Sequence, residues 1–222
     1  LMAATAYWVG SGQRNLVPQG LYLSTNGGRS WFQVSDALGE TAITSLALDA
    51  TMVVTARSAD GSIQRIPLDT ALSALMQYGT AEEKRQSPVA LALLGIQTGE
   101  MELNRRLWSG EDLPATVEGL ALLGTPSAIQ TLVSALGDAK VTSRQYMVMG
   151  ALESLGEKAV PALITALSND NPTLRANAAE MLGWIGSASA RPALELALAD
   201  ENQAVRVAAA WALNEILLYP TF

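Results

Sequence analysis

Paired acidic residues are the side chains of this sequence that could do chemistry. Glu82-Glu83 and Glu111-Asp112 each place two carboxylates together, and carboxylates serve general acid/base catalysis or bind a hard metal ion. The chain has no His and no Cys, which excludes thiol catalysis, zinc fingers and Ser-His-Asp triads. Each acidic pair also lies where a helix is predicted to begin, a position at which the helix dipole favours negative charge. We therefore interpret both pairs as solvated first-turn charges, and predict that the protein is not an enzyme and holds no cofactor or metal.

The charge distribution argues against nucleic acid as a partner. The net charge is −7, and residues 69–222 hold seventeen acidic and ten basic residues, against four of each in residues 1–68. Phosphate binding needs clustered Lys and Arg, and Arg105-Arg106 is too small a cluster. No apolar run reaches the roughly 20 residues of a membrane-spanning helix. Because the chain begins at Leu1 inside a predicted strand, we expect upstream sequence to be missing, and the absence of Cys leaves the compartment open.

From Asp69 onward the apolar residues recur with the helical period of 3.6. A second, longer period relates Pro161 to Pro192 and Leu167 to Leu198, which is typical of a repeat protein, and we call this spacing the repeat period. We predict five helical pairs, near 69–97, 100–125, 127–156, 158–187 and 189–217. One pair cannot bury its own apolar stripe, so the pairs are expected to stack into an α-solenoid over residues 69–222.

Residues 1–68 alternate in polarity instead, which predicts short antiparallel strands. The predicted strands lie near Met2–Trp8, Gly20–Ser24, Ser30–Val34, Ala42–Leu48, Thr51–Arg57 and Ser62–Pro67. The second and third are joined by a polar turn that contains Ser24, Asn26 and Gly28 and ends at Trp31. A short polar side chain satisfies backbone donors in such a turn, and we expect Trp31 to pack under the hairpin. The predicted fold class is therefore α+β in two parts, residues 1–68 and 69–222.

The spacing Ser24-x-Asn26-x-Gly28-x-x-Trp31 resembles the Asp-box hairpin, S-x-D-x-G-x-x-W, of BNR-like β-propellers. Sialidases, sortilin-type receptors and photosystem II assembly factors contain such blades. Asn26 replaces the Asp of the motif, keeping the side-chain carbonyl and losing the charge. The resemblance implies that residues 1–68 are about one and a half propeller blades, the C-terminal portion of a longer propeller. The alternative is a small sheet that packs on the helical part.

The last three helical pairs resemble HEAT repeats, most closely the short repeats named for phycobilisome chromophore lyases. The resemblance implies a ladder between neighbouring repeats, made by an Asp in the turn of each pair and an Arg six positions later. The matching positions are Asp138 with Arg144 and Asp200 with Arg206. Before Arg175 the Asp position is Asn169, so the ladder is expected to be weaker there unless Asp170 substitutes. HEAT-type hydroxylases hold iron through His-Glu motifs, which a chain without His cannot form.

HEAT arrays bind partners along their second helices, so outward positions on these helices are the candidate site. In the fourth pair the helical period directs Leu174, Ala178, Met181, Leu182 and Ile185 inward. Outward positions there, and those related to them by the repeat period, include two Trp residues and one Tyr, which are typical interface anchors. The predicted partner-binding residues are Tyr146, Asn177, Glu180, Trp184, Trp211 and Glu215. The alternative is that the C-terminal LLYPTF folds back over Trp211 as a cap.

Together these features predict a non-catalytic protein–protein interaction scaffold. Both resemblances lead to families with members in photosynthesis, and they imply a subunit or assembly factor of a larger, photosynthetic or membrane-associated complex. Two alternatives stay open. One is a chromophore lyase or isomerase, although a predicted acidic face with few Arg side chains suits bilin propionates poorly. The other is a glycan-binding or glycosidase propeller with its site upstream.

Overall fold

The computed structural model describes residues 2–8, 17–25, 28–29, 31–35, 43–138 and 142–218. The chain divides into two compact units, Leu1–Leu103 and Asn104–Phe222. The change from strand to helix lies between Pro67 and Leu68, so the first unit contains helices as well as strands. The domain boundary at residue 68 inferred from the sequence stays a prediction, since it marks a change of secondary structure and lies within the first compact unit.

Six strands form two three-stranded antiparallel sheets in sequential order. The strands are β1 (Met2–Trp8), β2 (Val17–Ser24), β3 (Phe32–Ser35), β4 (Ile43–Leu48), β5 (Val53–Ser58) and β6 (Ile63–Pro67). The orders are β1-β2-β3 and β4-β5-β6, with the central strand of each sheet paired to both neighbours. All six predicted strands are present, with their ends shifted by no more than a few residues. The described strands form no closed propeller or barrel.

Two Asp side chains build the turns of the second sheet. Between β4 and β5, Asp49 Oδ1 accepts hydrogen bonds from Thr51 N–H at 2.8 Å and from the Thr51 hydroxyl at 2.6 Å. Between β5 and β6, Asp60 Oδ1 accepts from Ser62 N–H at 2.9 Å and from the Ser62 hydroxyl at 2.8 Å. These hydrogen bonds lower the pKa of both carboxyl groups. Both turns are therefore fixed by an acidic side chain that mimics a backbone acceptor.

Ten α-helices follow over the described residues. They are α1 (Leu68–Tyr78), α2 (Ala81–Leu93), α3 (Gln97–Ser109), α4 (Leu113–Leu123), α5 (Pro126–Ala135), α6 (Thr142–Leu155), α7 (Val160–Ala166), α8 (Pro172–Ile185), α9 (Arg191–Ala197) and α10 (Gln203–Leu218). Each falls within one of the five predicted pairs, apart from small shifts at the ends. The prediction of a helical repeat region is confirmed.

The two acidic pairs singled out from the sequence both have structural partners. Glu83 accepts a hydrogen bond from Thr80 N–H at 2.7 Å, and Thr80 accepts in return from Glu83 N–H, which forms a capping box at the start of α2. Glu111 lies 2.7 Å from Arg105, at the end of α3. Helix capping and a surface ion pair therefore account for Glu83 and Glu111. The predicted first-turn position is wrong for Glu111-Asp112, because α4 begins at Leu113.

The strands and the first two helices share one hydrophobic core. Its buried members come from both sheets, from α1 and from α2: Leu21, Leu23, Phe32, Val34, Val54, Ala56, Ile66, Leu68, Leu72, Ala90 and Leu91. A three-stranded sheet alone is marginally stable in water, and helices that cover one face supply the missing burial. In the first unit the sheets are thus stabilised by α1 and α2.

The hairpin between β2 and β3 is held by its own side chains. Ser24 Oγ accepts a hydrogen bond from Gly28 N–H at 2.8 Å, and Trp31 Nε1 donates to the Gly28 carbonyl at 3.1 Å. Asn26 lies outside the described residues. The expectation that Trp31 packs under the hairpin is wrong, because the indole is 39% exposed, with its N–H on the turn carbonyl. Thr25 instead anchors the turn, donating to Gln86 of α2 at 2.8 Å.

Leu72→Ala tests the shared core of the first unit. Leu72 lies on α1 and is fully buried with the strands, so truncation should lower the free energy of unfolding by about 3 kcal/mol. Hydrogen exchange should accelerate in β5 as well as in α1. Leu48→Ala is the control, since Leu48 is 52% exposed and should cost less than about 0.5 kcal/mol. Faster exchange confined to α1 would contradict a common core.

Candidate functional site

Two second helices of the solenoid, α8 and α10, carry most of the predicted site. Both begin after an Asn that accepts a backbone hydrogen bond: Asn171 from Thr173 N–H and Asn202 from Ala204 N–H, each at 2.9 Å. These Asn residues are separated by one repeat period, so the same local signal starts both helices in the same register. Because the helix starts are equivalent, side chains one repeat period apart lie at equivalent positions.

The inner face of α8 is apolar and buried. All five residues that the helical period directs inward are buried: Leu174, Ala178, Met181, Leu182 and Ile185. On α10 the buried residues are Val205, Ala209, Ala212 and Ile216, which recur at three- or four-position intervals along the helix. The opposite sides of the two helices are left to form a surface.

A glycine sets the distance between α8 and α10. A Cβ on Gly183 would lie 2.6 Å from Cζ3 of Trp211 and 2.8 Å from the Cα of Ala212. Real Cβ atoms do not approach other atoms so closely, so Gly183 permits the Trp211 ring and the α10 backbone to lie directly on α8. Trp211 meets Trp184 there, with ring centroids 5.5 Å apart and planes tilted by 54°. This arrangement is typical of aromatic pairs.

The two indoles lie in an open groove between α8 and α10. Its lining residues are Ala176, Asn177, Glu180, Trp184, Gln203, Ala204, Val207, Ala208 and Trp211. The groove has a volume of about 1040 Å³. Trp184 is 56% exposed and Val207 is 61% exposed, so large apolar side chains face solvent here. We call this surface the α8–α10 groove.

Arg175, at the first turn of α8, ties the fourth helical pair to the fifth. Its guanidinium donates to both carboxylate oxygens of Asp200, from Nε at 2.8 Å and from Nη2 at 2.9 Å. Its Nη1 donates to the carbonyl of Asn169 at 2.8 Å and to that of Asp170 at 3.2 Å. The Arg175 and Asp200 side chains are only 8% and 12% exposed. The expectation of a weaker ladder at Arg175 is wrong, because the guanidinium binds two turn carbonyls of its own repeat and the carboxylate of the next.

The ion pair shifts the pKa values of both Arg175 and Asp200. Hydrogen bonds from Arg175 hold the pKa of Asp200 below its ordinary value of 3.8, and a hydrogen bond from Asn202 N–H adds to the effect. The same contact raises the pKa of Arg175. Both groups therefore stay charged throughout the neutral range, which keeps α8 and α10 aligned at this end.

The other two ladder arginines make different contacts. Arg144 donates to Asp138 at 2.7 Å, so this predicted pair forms, although within one repeat and not between neighbouring repeats. Arg144 also donates to the Trp108 carbonyl at 3.3 Å. The predicted pairing of Arg206 with the Asp200 carboxylate is wrong. Arg206 donates to the backbone carbonyls of Asp200 and Glu201 at 2.8 and 2.9 Å, because the carboxylate of Asp200 pairs with Arg175. The shared feature of the three arginines is a bond to a backbone carbonyl, which the spacing alone does not predict.

The structure brings together four of the six predicted partner-binding residues. Glu180, Trp184, Trp211 and Asn177 line the α8–α10 groove. The Asn177 amide also has a structural role, since it donates to the Leu136 carbonyl of the preceding pair at 2.7 Å. The other two predicted residues are not among the lining residues of the groove. Tyr146 is 71% exposed on α6, and Glu215 is half-buried on α10.

Five groove residues were not predicted as site residues: Ala176, Gln203, Ala204, Val207 and Ala208. A signal for them exists in the sequence. Gln203, Val207 and Trp211 recur at every fourth position along α10, and Val207 is related to Ala176 by the repeat period. The wall supplied by α10 could therefore have been inferred from Trp211.

The described residues contain no cluster of three or more His, Cys, Asp or Glu that could hold a metal ion. No described helix is long and apolar enough to cross a membrane. The groove offers two indoles, one carboxylate and several small apolar side chains. This arrangement can bury apolar surface and pair with a cation.

Comparison with known proteins identifies the repeat type of the C-terminal helices. Residues 142–214 match the family of HEAT repeats, a match that covers most of α6 to α10 and the whole α8–α10 groove. No curated protein sequence is significantly similar to the chain.

Two solved structures show a distant likeness. Human deoxyhypusine hydroxylase in complex with glycerol is 17% identical, with a TM-score of 0.29 and coverage of 69% of this chain and 85% of that chain. An engineered protein is 18% identical, with a TM-score of 0.35 and coverage of 68% of this chain and 80% of that chain. The match to HEAT repeats covers residues 142–214, and assignments to Asp-box propellers or to phycobilisome-lyase repeats go beyond it.

Gly183→Ala tests the close approach of α8 and α10. The added methyl group would collide with Trp211 and Ala212, and overpacking of this kind costs about 1–3 kcal/mol in free energy of unfolding. Gly150→Ala, in α6, is the matched control because its Cβ would meet no atom within 4 Å. That change should stabilise by up to about 1 kcal/mol through helix propensity. Denaturant unfolding measures both changes. Equal changes in the free energy of unfolding would contradict the close packing of α8 against α10 at Gly183.

Asp200→Asn tests the link between the fourth and fifth pairs through its pH dependence. A carboxyl group with a lowered pKa in the folded state stabilises the fold above its unfolded pKa and loses this effect as the pH falls through the folded value. The variant should therefore melt several degrees below the parent at about pH 7. This difference in melting temperature should disappear below about pH 3.8.

Asp170→Asn is the control for this experiment. Arg175 binds the backbone carbonyl of Asp170, so removing the exposed carboxylate should leave the contact intact. Thermal unfolding followed by circular dichroism across this pH range measures both variants. If Asp200→Asn still melts below the parent at the lowest pH, the ion pair does not explain its destabilisation.

Proposed function

We propose that this chain is a non-catalytic protein-interaction scaffold whose partner occupies the α8–α10 groove. The observation that carries the proposal is the Trp184–Trp211 pair, with Trp184 56% exposed in an open groove of about 1040 Å³. Contiguous exposed apolar surface of this kind marks interaction sites, and Trp is among the residues that dominate interface energetics. The groove lies within the HEAT-repeat match, and repeat solenoids commonly bind partners along their extended surfaces.

The groove is also suited to binding because several contacts hold its two helices together. Gly183 allows α8 and α10 to pack in direct contact, and Arg175 joins the two helices through a bidentate bond to Asp200. Asn177 joins α8 to the preceding pair. A surface that is ordered before binding loses less conformational entropy when its partner docks. This supports a stable partner site.

The finer assignment is a subunit or assembly factor of a larger complex. We further propose that the two sheets of the first unit are propeller-type blades of the Asp-box class. The sequential order within each sheet and the Ser24–Gly28 hydrogen bond in the turn support this assignment. A placement in photosynthetic or membrane-associated complexes, and a lyase-type repeat, rest on the sequence resemblance alone.

A chromophore lyase or isomerase has less support from the groove. Bilin propionates are anionic and need cationic partners, whereas the groove residues in the described ranges include one carboxylate and no Lys or Arg. A protein surface that offers apolar and cationic groups fits the lining better. Protein binding is therefore the function that we propose.

Site-specific crosslinking tests the proposed function. A photoreactive amino acid at Val207, in the groove, should give a discrete covalent adduct with one protein when the chain is irradiated in extracts of its source cells. Leu196, 79% exposed on α9, is the matched position outside the groove and should give no such adduct. The adduct at Val207 should be lost in Trp184→Ala. Identical products from both positions, or none from Val207, would contradict the proposal.

A further inference from the structure

We infer that the α8–α10 groove selects a basic amphipathic segment of a partner protein, with an Arg or Lys held between Glu180 and the indoles. The inference rests on the proposed function and specifies the chemistry of the partner. Its basis is Glu180, the one charged residue among the described groove residues, together with the neighbouring Trp side chains and the charge of the second unit.

Glu180 is an unpaired carboxylate on an otherwise apolar or neutral wall. It is half-buried on α8, one turn before Trp184, and makes no hydrogen bond or salt bridge with the described part of the chain. Other acidic residues of the solenoid, such as Asp138, Glu111 and Asp200, do have cationic partners. The charge of Glu180 is therefore free to meet an incoming group.

A docked partner must compensate this charge. An apolar segment that covered the groove would remove water from Glu180, and an unpaired carboxylate in a low-dielectric contact is costly. No Lys or Arg is among the described residues that line the groove, so we expect the cation to come from the partner. Arg is best suited, because a guanidinium pairs with a carboxylate and also stacks on an indole face.

The repeat register places acidic and aromatic side chains at equivalent positions of neighbouring helices. Glu180 corresponds to Trp211 and Trp184 corresponds to Glu215, each separated by one repeat period. A segment that crosses from α8 to α10 at either position thus passes one carboxylate and one indole. Apolar side chains of the segment would contact Val207 and Ala204 on the α10 wall.

The charge of the second unit favours this occupant over a second copy of the chain. Residues 104–222 hold twelve acidic and eight basic residues, and the whole chain carries −7. Two copies would therefore repel at long range, whereas a basic segment would be attracted.

Synthetic peptides test the inference directly on the intact chain. The probe is an amphipathic peptide of about 15 residues, roughly 22 Å long if helical, with Leu on one face and Arg on the other. Two further versions carry Gln or Glu in place of each Arg. Fluorescence anisotropy of the labelled peptides should give a Kd for the Arg version at least tenfold below that for the Gln version, and no binding of the Glu version.

Variants of the chain locate the effect. Glu180→Gln should weaken binding of the Arg peptide about tenfold while leaving binding of the Gln peptide unchanged. Glu195→Gln changes the net charge equally at an exposed position on α9 and should have no effect. Equal losses in the two variants would overturn the inference, because they would show nonspecific attraction.

The remaining outcomes separate the inference from the proposed function. Equal binding of the Arg and Gln peptides, still lost in Trp184→Ala, would overturn the basic-segment inference and support the groove as a protein site. Binding of none of the peptides would overturn the inference, while the crosslink from Val207 tests the proposed function independently. Self-association of the chain that Trp184→Ala abolishes would assign the groove to a second copy and overturn the inference as well.

Discussion

The candidate site depends on the direct packing of α8 against α10 at Gly183. Without a Cβ at this position, the Trp211 ring and the Ala212 backbone lie on the α8 surface, and Trp211 meets Trp184. A larger residue would push the helices apart and separate the two indoles. The groove, its exposed aromatic surface and the proposed contact between Glu180 and a partner all follow from this close approach.

Polar side chains of the fourth helical pair hold this arrangement in register with both neighbouring pairs. On one side, Asn171 and Asn177 donate to the carbonyls of Gly137 and Leu136, which follow α5. On the other side, Arg175 binds Asp200 of the fifth pair. Arg175 is buried, Asn177 is half-buried and Asn171 is exposed, and each donates to a carbonyl or a carboxylate. The fourth pair is therefore fixed at both of its interfaces, which preorganises the groove.

Much of this architecture could be predicted from the sequence because it depends on local periodicity. The helical period predicts the five buried residues of α8, and the repeat period relates helix starts such as Asn171 and Asn202. Alternation predicts six strands close to their observed positions. The aromatic centre of the groove followed from the same register, since Trp184 and Trp211 lie on the outward sides of equivalent helices.

The predictions that were wrong concern side-chain contacts. The contacting residues lie far apart in the sequence, or several local groups compete for the same side chain. Arg175 and Asp200 belong to different repeats, and a repeat spacing cannot decide whether a guanidinium takes the carboxylate of its own turn or of the next. The role of Gly183 depends on how closely α10 approaches α8, and no sequence pattern predicts this distance. The turn predicts that Trp31 packs under the hairpin, whereas its N–H donates to the Gly28 carbonyl and the side chain stays 39% exposed.

Oxidative footprinting of the tryptophans tests the central claim most directly. Trp184, Trp108 and Trp31 are 56%, 44% and 39% exposed in the described structure, so they should be oxidised at comparable rates in the free chain. When the basic peptide is bound, oxidation of Trp184 should slow several-fold, while Trp108 and Trp31, outside the groove, keep their rates. Unchanged oxidation of Trp184 under saturating peptide, or equal protection of all three, would contradict the α8–α10 groove as the binding site.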